Sequence, residues 1–238
     1  FYKKLVNFKR YKQIYNSDDE SVFNTKKFLQ YFENYFKKNC VNINKIDFRR
    51  HFRTKYNKSV FIGQRRNPSI KPQHKVNKLY DLSISSPLLR AKQTAKTFSN
   101  KIIINNLLKE IDYGDVEGSN IKNLKKNFPA LIEKWKNFKD AKFPNGESLK
   151  QVSKRVIKFI NYLKKRNYKN IVVVTHNVFM RCLIGKYFNL PIHNWHKIQI
   201  EYGTAYGLKI INNKFVFDIS RKKLNILFKK IYEDSYFN

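Results

Sequence analysis

Ile171 to Arg181 reads IVVVTHNVFMR. Four consecutive β-branched residues between polar neighbours describe a short strand buried on both faces, as in the interior of a parallel sheet. Thr175 and His176 follow directly, and Phe179, Leu183, Ile184, Tyr187 and Phe188 then recur at helical spacing until Pro191 stops the pattern. A strand that turns into a helix through two polar residues is the repeating step of an α/β sheet, and here the step carries a histidine at the strand's carboxyl end.

Working outward, the same step recurs. Ile43 to Phe48 reads as a strand that turns polar at Arg49 and Arg50, inside the stretch FRRHFRTKYN (Phe48 to Asn57). Asp81 to Ser85 is a second short strand. Pro87 opens the helix after it, because a missing N–H costs nothing in a first turn; Leu88, Ala91, Ala95 and Phe98 share one face and Arg90 falls near the start. Ile102 to Ile104 makes a third, fully apolar strand, followed by a loop with Glu110, Gly114 and Gly118. Helical pieces from Ile121 to Phe138 are broken by Pro129. Pro144, Asn145 and Gly146 form a turn, and Leu149, Val152, Val156, Phe159, Ile160 and Leu163 trace a long amphipathic helix. Thr204 to Ile211 and Lys214 to Ile219 read as a hairpin closed by Asn212 and Asn213. Strands alternating with helices predict an α/β fold, a mainly parallel sheet with helices on both faces.

Around that domain, taken as 41–220, the pattern predicts two additions. Residues 1–40 form a basic extension in which Phe28, Leu29, Phe32, Tyr35 and Phe36 mark a helix over Ser17 to Lys38, and 221–238 form a basic amphipathic tail with Leu224, Leu227 and Ile231 at helical spacing.

A chain of 238 residues is long enough for one full core, burying about 70 to 75% of its unfolded surface. Cys40 and Cys182 are far apart and form no ligand spacing, and His193 and His196 lie in a loop without further ligand candidates, so neither a disulfide framework nor a metal site is expected. A reducing compartment fits: the cytoplasm or, since the chain begins at Phe1, an organelle matrix after removal of a targeting segment. No run reaches the 18 apolar residues of a membrane span. The net charge of +33 points to polyanions, with nucleic acid and phosphorylated substrates as the partners it admits, although the lysines are spread over every segment rather than gathered in a stripe. No feature bears on the oligomeric state.

Ligands of such sheets bind beyond the carboxyl ends of the strands. Three predicted strands end in or lead to Arg50 with His51, Arg90, and His176, which gathers positive charge in one crevice, and the loop after another strand adds the carboxyl of Glu110. The N-termini of the helices after two of the strands would add donors for an anion. The combination indicates phosphate chemistry.

Five stretches in order, FRRHFRTKYN, SSPLLRAKQTA (Ser85 to Ala95), KEIDYGDVEG (Lys109 to Gly118), FPNGES (Phe143 to Ser148) and VVVTHNVFMR (Val172 to Arg181), resemble the histidine phosphatase superfamily, which includes cofactor-dependent phosphoglycerate mutases, broad-specificity phosphatases and fructose-2,6-bisphosphatases. RRHFRTKYN is similar to that family's Arg-His-Gly-x-Thr-x-x-Asn signature, and FIGQRRNP (Phe61 to Pro68), with Gly63, resembles its phosphate-loop continuation. The resemblance is nearer the phosphatase and fructose-bisphosphatase branches. It implies a phosphoglycerate mutase-like fold and hydrolysis of a small phosphomonoester through phosphohistidine at His51, with no cofactor or metal. Glu110 would be the proton donor, His176 a further donor to the transferring group, and Arg50, Asn57, Gly63 and Arg90 the phosphate-binding set. Two other readings stay open: an inactive member serving as a structural subunit of a large, ribonucleoprotein-type assembly, and a phosphatase of phosphorylated proteins.

The chain departs from the family pattern in four places. Phe52 stands where the signature has glycine, so its ring either points away from the phosphate or narrows the pocket. Asn177 replaces a common glycine, Arg66 lies where aspartate is frequent, and Ser69 to Tyr80 is short for the helix that usually separates the first two strands.

Overall fold

The computed structural model describes residues 44–56, 60–72, 80–137, 139–166, 168–211, 214–218 and 227. The predicted Ser17 to Lys38 helix, Asn57, the Asn212–Asn213 turn and all of the 221–238 tail except Leu227 lie outside them, as does most of the short interval before Tyr80.

Six strands form one sheet: β1 Asn44–Arg50, β2 Leu82–Ser85, β3 Ile102–Ile104, β4 Asn170–Thr175, β5 Ala205–Ile211 and β6 Lys214–Asp218, in the spatial order β3-β2-β4-β1-β5-β6. The first four positions pair in parallel, while β5 joins β1, and β6 joins β5, antiparallel. The α/β expectation holds, with the predicted hairpin forming the antiparallel edge. β4 sits between β2 and β1, which explains its unbroken β-branched run. Alternate residues face opposite ways, so Ile171 and Val173 enter the larger apolar cluster while Val172 and Val174 enter the smaller one with Ala91, Ala95 and Phe98.

Helices cover both faces. On the smaller cluster's side lies α1, Leu89–Lys96. Two short helices follow later in the chain, α2 Ile121–Asn127 and α3 Pro129–Lys136; Pro129 ends the pattern of the first by opening the second. α4 spans Leu149–Lys164 and starts at a capping box in which Ser148 and Gln151 each satisfy the other's backbone N–H. Its Val152, Val156, Phe159 and Leu163 are buried on the larger cluster's side, where Phe159 meets Phe48 and Phe179 edge-on at 6.1 and 6.2 Å. α5, Asn177–Tyr187, packs beside it.

β3 keeps the bounds read for it. Three isoleucines suggest full burial, yet β3 is an edge strand and leaves Ile103 and Ile104 exposed. Composition alone does not distinguish an edge from a centre. Among the described residues, no helix is long and apolar enough to cross a membrane.

Candidate active site

The register of β1 and β4 assembles the site. Arg50 pairs with Thr175 across the parallel ladder, and the His51 N–H donates to the Thr175 carbonyl at 3.0 Å, so the next residue of each strand is a histidine. The rings of His51 and His176 stand 5.1 Å apart. β2 ends alongside: the Ser86 N–H donates to Val174 at 3.0 Å, and the Ser86 hydroxyl lies 2.8 Å from His176 Nε2. Three strand ends therefore converge around one point.

A cleft of about 300 Å³ opens there, with Arg50, His51, Arg90 and Glu110 in its walls. His51 is buried, and its Nδ1 lies 2.6 Å from the Phe52 carbonyl. A carbonyl only accepts, so Nδ1 carries the proton and Nε2 keeps its lone pair. Burial lowers the pKa of His51 well below its ordinary value, and Arg90 and Arg50 add to the effect against the pull of the Phe52 carbonyl. The imidazole is thus neutral, in one tautomer. His176 is fully buried behind it and likewise held neutral, by burial first and then by Arg90 and His51; its Nδ1 has no hydrogen-bond partner.

The two arginines are fixed without being neutralised. Arg90 is 1% exposed, and its guanidinium donates to the carbonyls of Gly63 at 2.8 Å and Arg66 at 3.3 Å. Arg50 Nη1 donates to the Ile200 carbonyl at 2.6 Å while its plane lies 3.7 Å from the Tyr202 ring centre. Neutral acceptors orient each guanidinium and leave its charge available to an anion. Gly63 is not part of the cleft wall: a Cβ there would come within 2.6 Å of the Ile111 carbonyl and 2.9 Å of Glu117, and its carbonyl holds Arg90.

Glu110 is buried, and burial raises its pKa against the opposing pull of Arg90. Its Oε1 accepts from the N–H groups of Ile111 and Val178, both at 3.0 Å. Val178 belongs to the first turn of α5, so that N–H serves the carboxyl, not a bound anion. At α1 the Leu89 N–H is likewise taken by Asn67 Oδ1 at 2.6 Å. In both first turns a protein acceptor therefore occupies one of the N–H donors that the sequence offered to an anion.

Phe52 lies outside the cleft. Its ring packs in the smaller cluster, 5.8 Å from Phe98, and its N–H donates to Thr94 Oγ1 at 3.0 Å. Space for it comes from Gly203, in the left-handed region at φ 74°, where an added Cβ would lie 2.9 Å from Phe52 Cδ1. A ring replaces the signature's glycine because a glycine stands opposite.

Two features escape sequence reading. Glu147, within FPNGES, accepts from Gln64 at 3.2 Å, from the Asp112 N–H at 3.0 Å and from Arg155 at 2.8 and 3.0 Å. Arg155 continues to the carbonyls of Leu107, Lys109 and Glu110. This strut fixes the loop that carries Glu110. In sequence Arg155 is one more cation on an amphipathic helix. Tyr202, the second feature, reads as an ordinary loop aromatic, yet its ring lies 5.6 Å from that of His51.

The fold is one shared by phosphatases of the histidine type. A model of the histidine phosphatase superfamily (branch 1) matches residues 48–221, and the chain belongs to that family, as an enzyme of the histidine-type phosphatase class. Among similar proteins is putative phosphoserine phosphatase 2 of Hydrogenobacter thermophilus, 23% identical over 64% of this chain and 82% of that protein. The fructose-2,6-bisphosphatase of Saccharomyces cerevisiae is 27% identical over 55% of this chain, which spans 30% of the yeast protein's length. The solved structure of a putative alpha-ribazole-5'-P phosphatase from Escherichia coli shares the fold, with a TM-score of 0.64 at 24% identity over 75% of this chain and 96% of that one.

Proposed function

We propose that this enzyme hydrolyses a small phosphomonoester through a phosphohistidine on His51. The observation that carries the reading is the neutral imidazole with its Nδ1–H committed to the Phe52 carbonyl, between two guanidiniums and beside a buried carboxyl. Nε2 attacks phosphorus, an N–P bond forms, and the ester P–O bond breaks. Arg50 and Arg90 hold the non-bridging oxygens. Glu110 gives its proton to the departing alkoxide, then as a carboxylate takes one from the water that cleaves the N–P bond and releases phosphate. Atoms and protons balance with no other reactant.

By resemblance, His176 donates a further hydrogen bond to the phosphoryl group and Asn57 holds a further oxygen. Gly63 acts through Arg90, which it orients. A cleft of about 300 Å³ is of a size that holds a small metabolite. The test is rapid alkaline quench during turnover of a panel of phosphomonoesters, with phosphorus NMR for phosphohistidine and His51→Ala as control. A phosphohistidine signal that the variant lacks is expected; turnover equal in both proteins overturns the proposal.

A further inference from the structure

The cleft is mixed in character. Besides the charged groups at the strand ends, its lining includes the apolar Val60, Phe61, Ile62 and Ile121, together with Thr54 and Tyr113. This apolar part is built, not incidental. Val60 bridges Asn120 antiparallel, the Phe61 N–H donates to Ser119 at 2.9 Å, and the Gly118 N–H donates back to the Phe61 carbonyl at 2.8 Å. A short ladder therefore joins two distant segments, and Phe61 anchors it against Tyr113, the ring centres 5.1 Å apart. Ile121 nevertheless remains 55% exposed, beside a charged floor.

We infer that this ladder is a shelf for the leaving group, and that the preferred substrates are phosphomonoesters of alcohols with an apolar carbon skeleton. The inference rests on the phosphatase reading above. With the phosphoryl group between Arg50 and Arg90, the ester oxygen faces Glu110, and the carbon chain beyond it runs toward the mouth along the shelf. An apolar skeleton covers Val60 and Ile121 and removes their surface from water. A polyhydroxylated one leaves the hydroxyls on that side facing Val60, Phe61, Ile62 and Ile121, which cannot hydrogen-bond. Arg181 also borders the cleft, with its Nε donating to the Ile198 carbonyl at 3.0 Å, and it is the feature that would instead favour a second anionic group.

The test uses methyl, propyl and pentyl phosphate, whose leaving groups differ in apolar area but little in intrinsic reactivity, beside phosphoserine and 3-phosphoglycerate. The full chain is compared with Ile121→Ser and Val60→Ser, and folding of each variant is checked by its melting curve. The expected kcat/KM rises along the alkyl series, and the pentyl-to-methyl ratio drops on the order of tenfold in either variant. A flat alkyl series, a ratio that the variants do not change, or a preference for phosphoserine or 3-phosphoglycerate over pentyl phosphate overturns the shelf while leaving the phosphatase reading intact. Absence of turnover with every ester sinks both.

Discussion

Arg90 at the floor of the cleft and Lys154, Lys158 and Lys165, on the outer side of α4 and at its C-cap, carry the same charge in opposite settings. The lysines are exposed, and water and salt damp their fields within roughly 8 Å at physiological ionic strength. Arg90 is buried, oriented by two carbonyls, and makes no ion pair among the described residues. Its desolvation is costly, and this lowers its own pKa; the remedy is an incoming anion. Net charge therefore says little about the site. Guanidiniums held by neutral acceptors stay available to an anion, while the lysines on the outer side of α4 and at its C-cap face solvent.

This contrast can be broken at several points. Removing the nucleophile has the largest effect: His51→Ala should lower kcat on the order of 10⁴-fold or more in steady-state assays, because no other group at the floor can take its place. Arg90→Lys keeps the charge but loses the fork, and a fall on the order of 10²- to 10³-fold in kcat/KM is expected. A variant as active as the parent would show that charge alone suffices and erase the distinction drawn here.

The acidity of the floor sets the pH dependence. The His51 and His176 pKa values are depressed, so below about pH 6.5 the unfolded chain takes up protons that the folded chain refuses. Their contribution to stability is present above that value and is lost as pH falls toward the folded pKa values. Glu110 runs the other way: with its pKa raised, its contribution is present below about pH 4.5 and is lost as pH rises through the folded value. Activity should follow a bell, with the acid limb from protonation of His51 and the alkaline limb from loss of the Glu110 proton. Glu110→Gln should slow turnover of alkyl esters and abolish the alkaline limb in a pH–rate profile; an alkaline limb that survives assigns it to another group.

Glu147→Ala leaves Arg155 without its carboxylate in a partly buried strut. A loss of about 2 kcal/mol in denaturant unfolding is expected, with a smaller fall in kcat than at Arg90, since the Glu110 loop loosens but keeps its groups. The smallest effect belongs to the exposed lysines. Replacing Lys154, Lys158 and Lys165 together by Gln should leave kcat unchanged and stability within about 0.5 kcal/mol per site, measured at several salt concentrations. A collapse of activity in that triple variant would mean that the outer charge reaches the site after all.

Much of the plan was legible along the chain. The β-branched run before His176, the polar break after Phe48 and Pro87 ahead of Arg90 each mark a strand end, and local pattern reports strand ends well. β3 was legible as a strand, but its place at the sheet edge was not, because three isoleucines look the same at an edge and in a centre. The Glu147–Arg155 strut was not legible, since its partners on the Glu110 loop are 35 to 48 residues away. The placement of Phe52 depended on Gly203, a partner that no local pattern reveals.

The order of amino acids by itself determined which groups this enzyme can bring to phosphate: imidazole, guanidinium and carboxyl, each set just past an extended segment by short-range patterning. Only the tertiary structure decided that they meet, because β4 is inserted between β2 and β1, and that register brings the two imidazoles side by side. Packing decided the rest. Burial disfavours the charged forms of the two histidines and of Glu110, and these effects depend on what surrounds a side chain in space rather than on its neighbours in the chain.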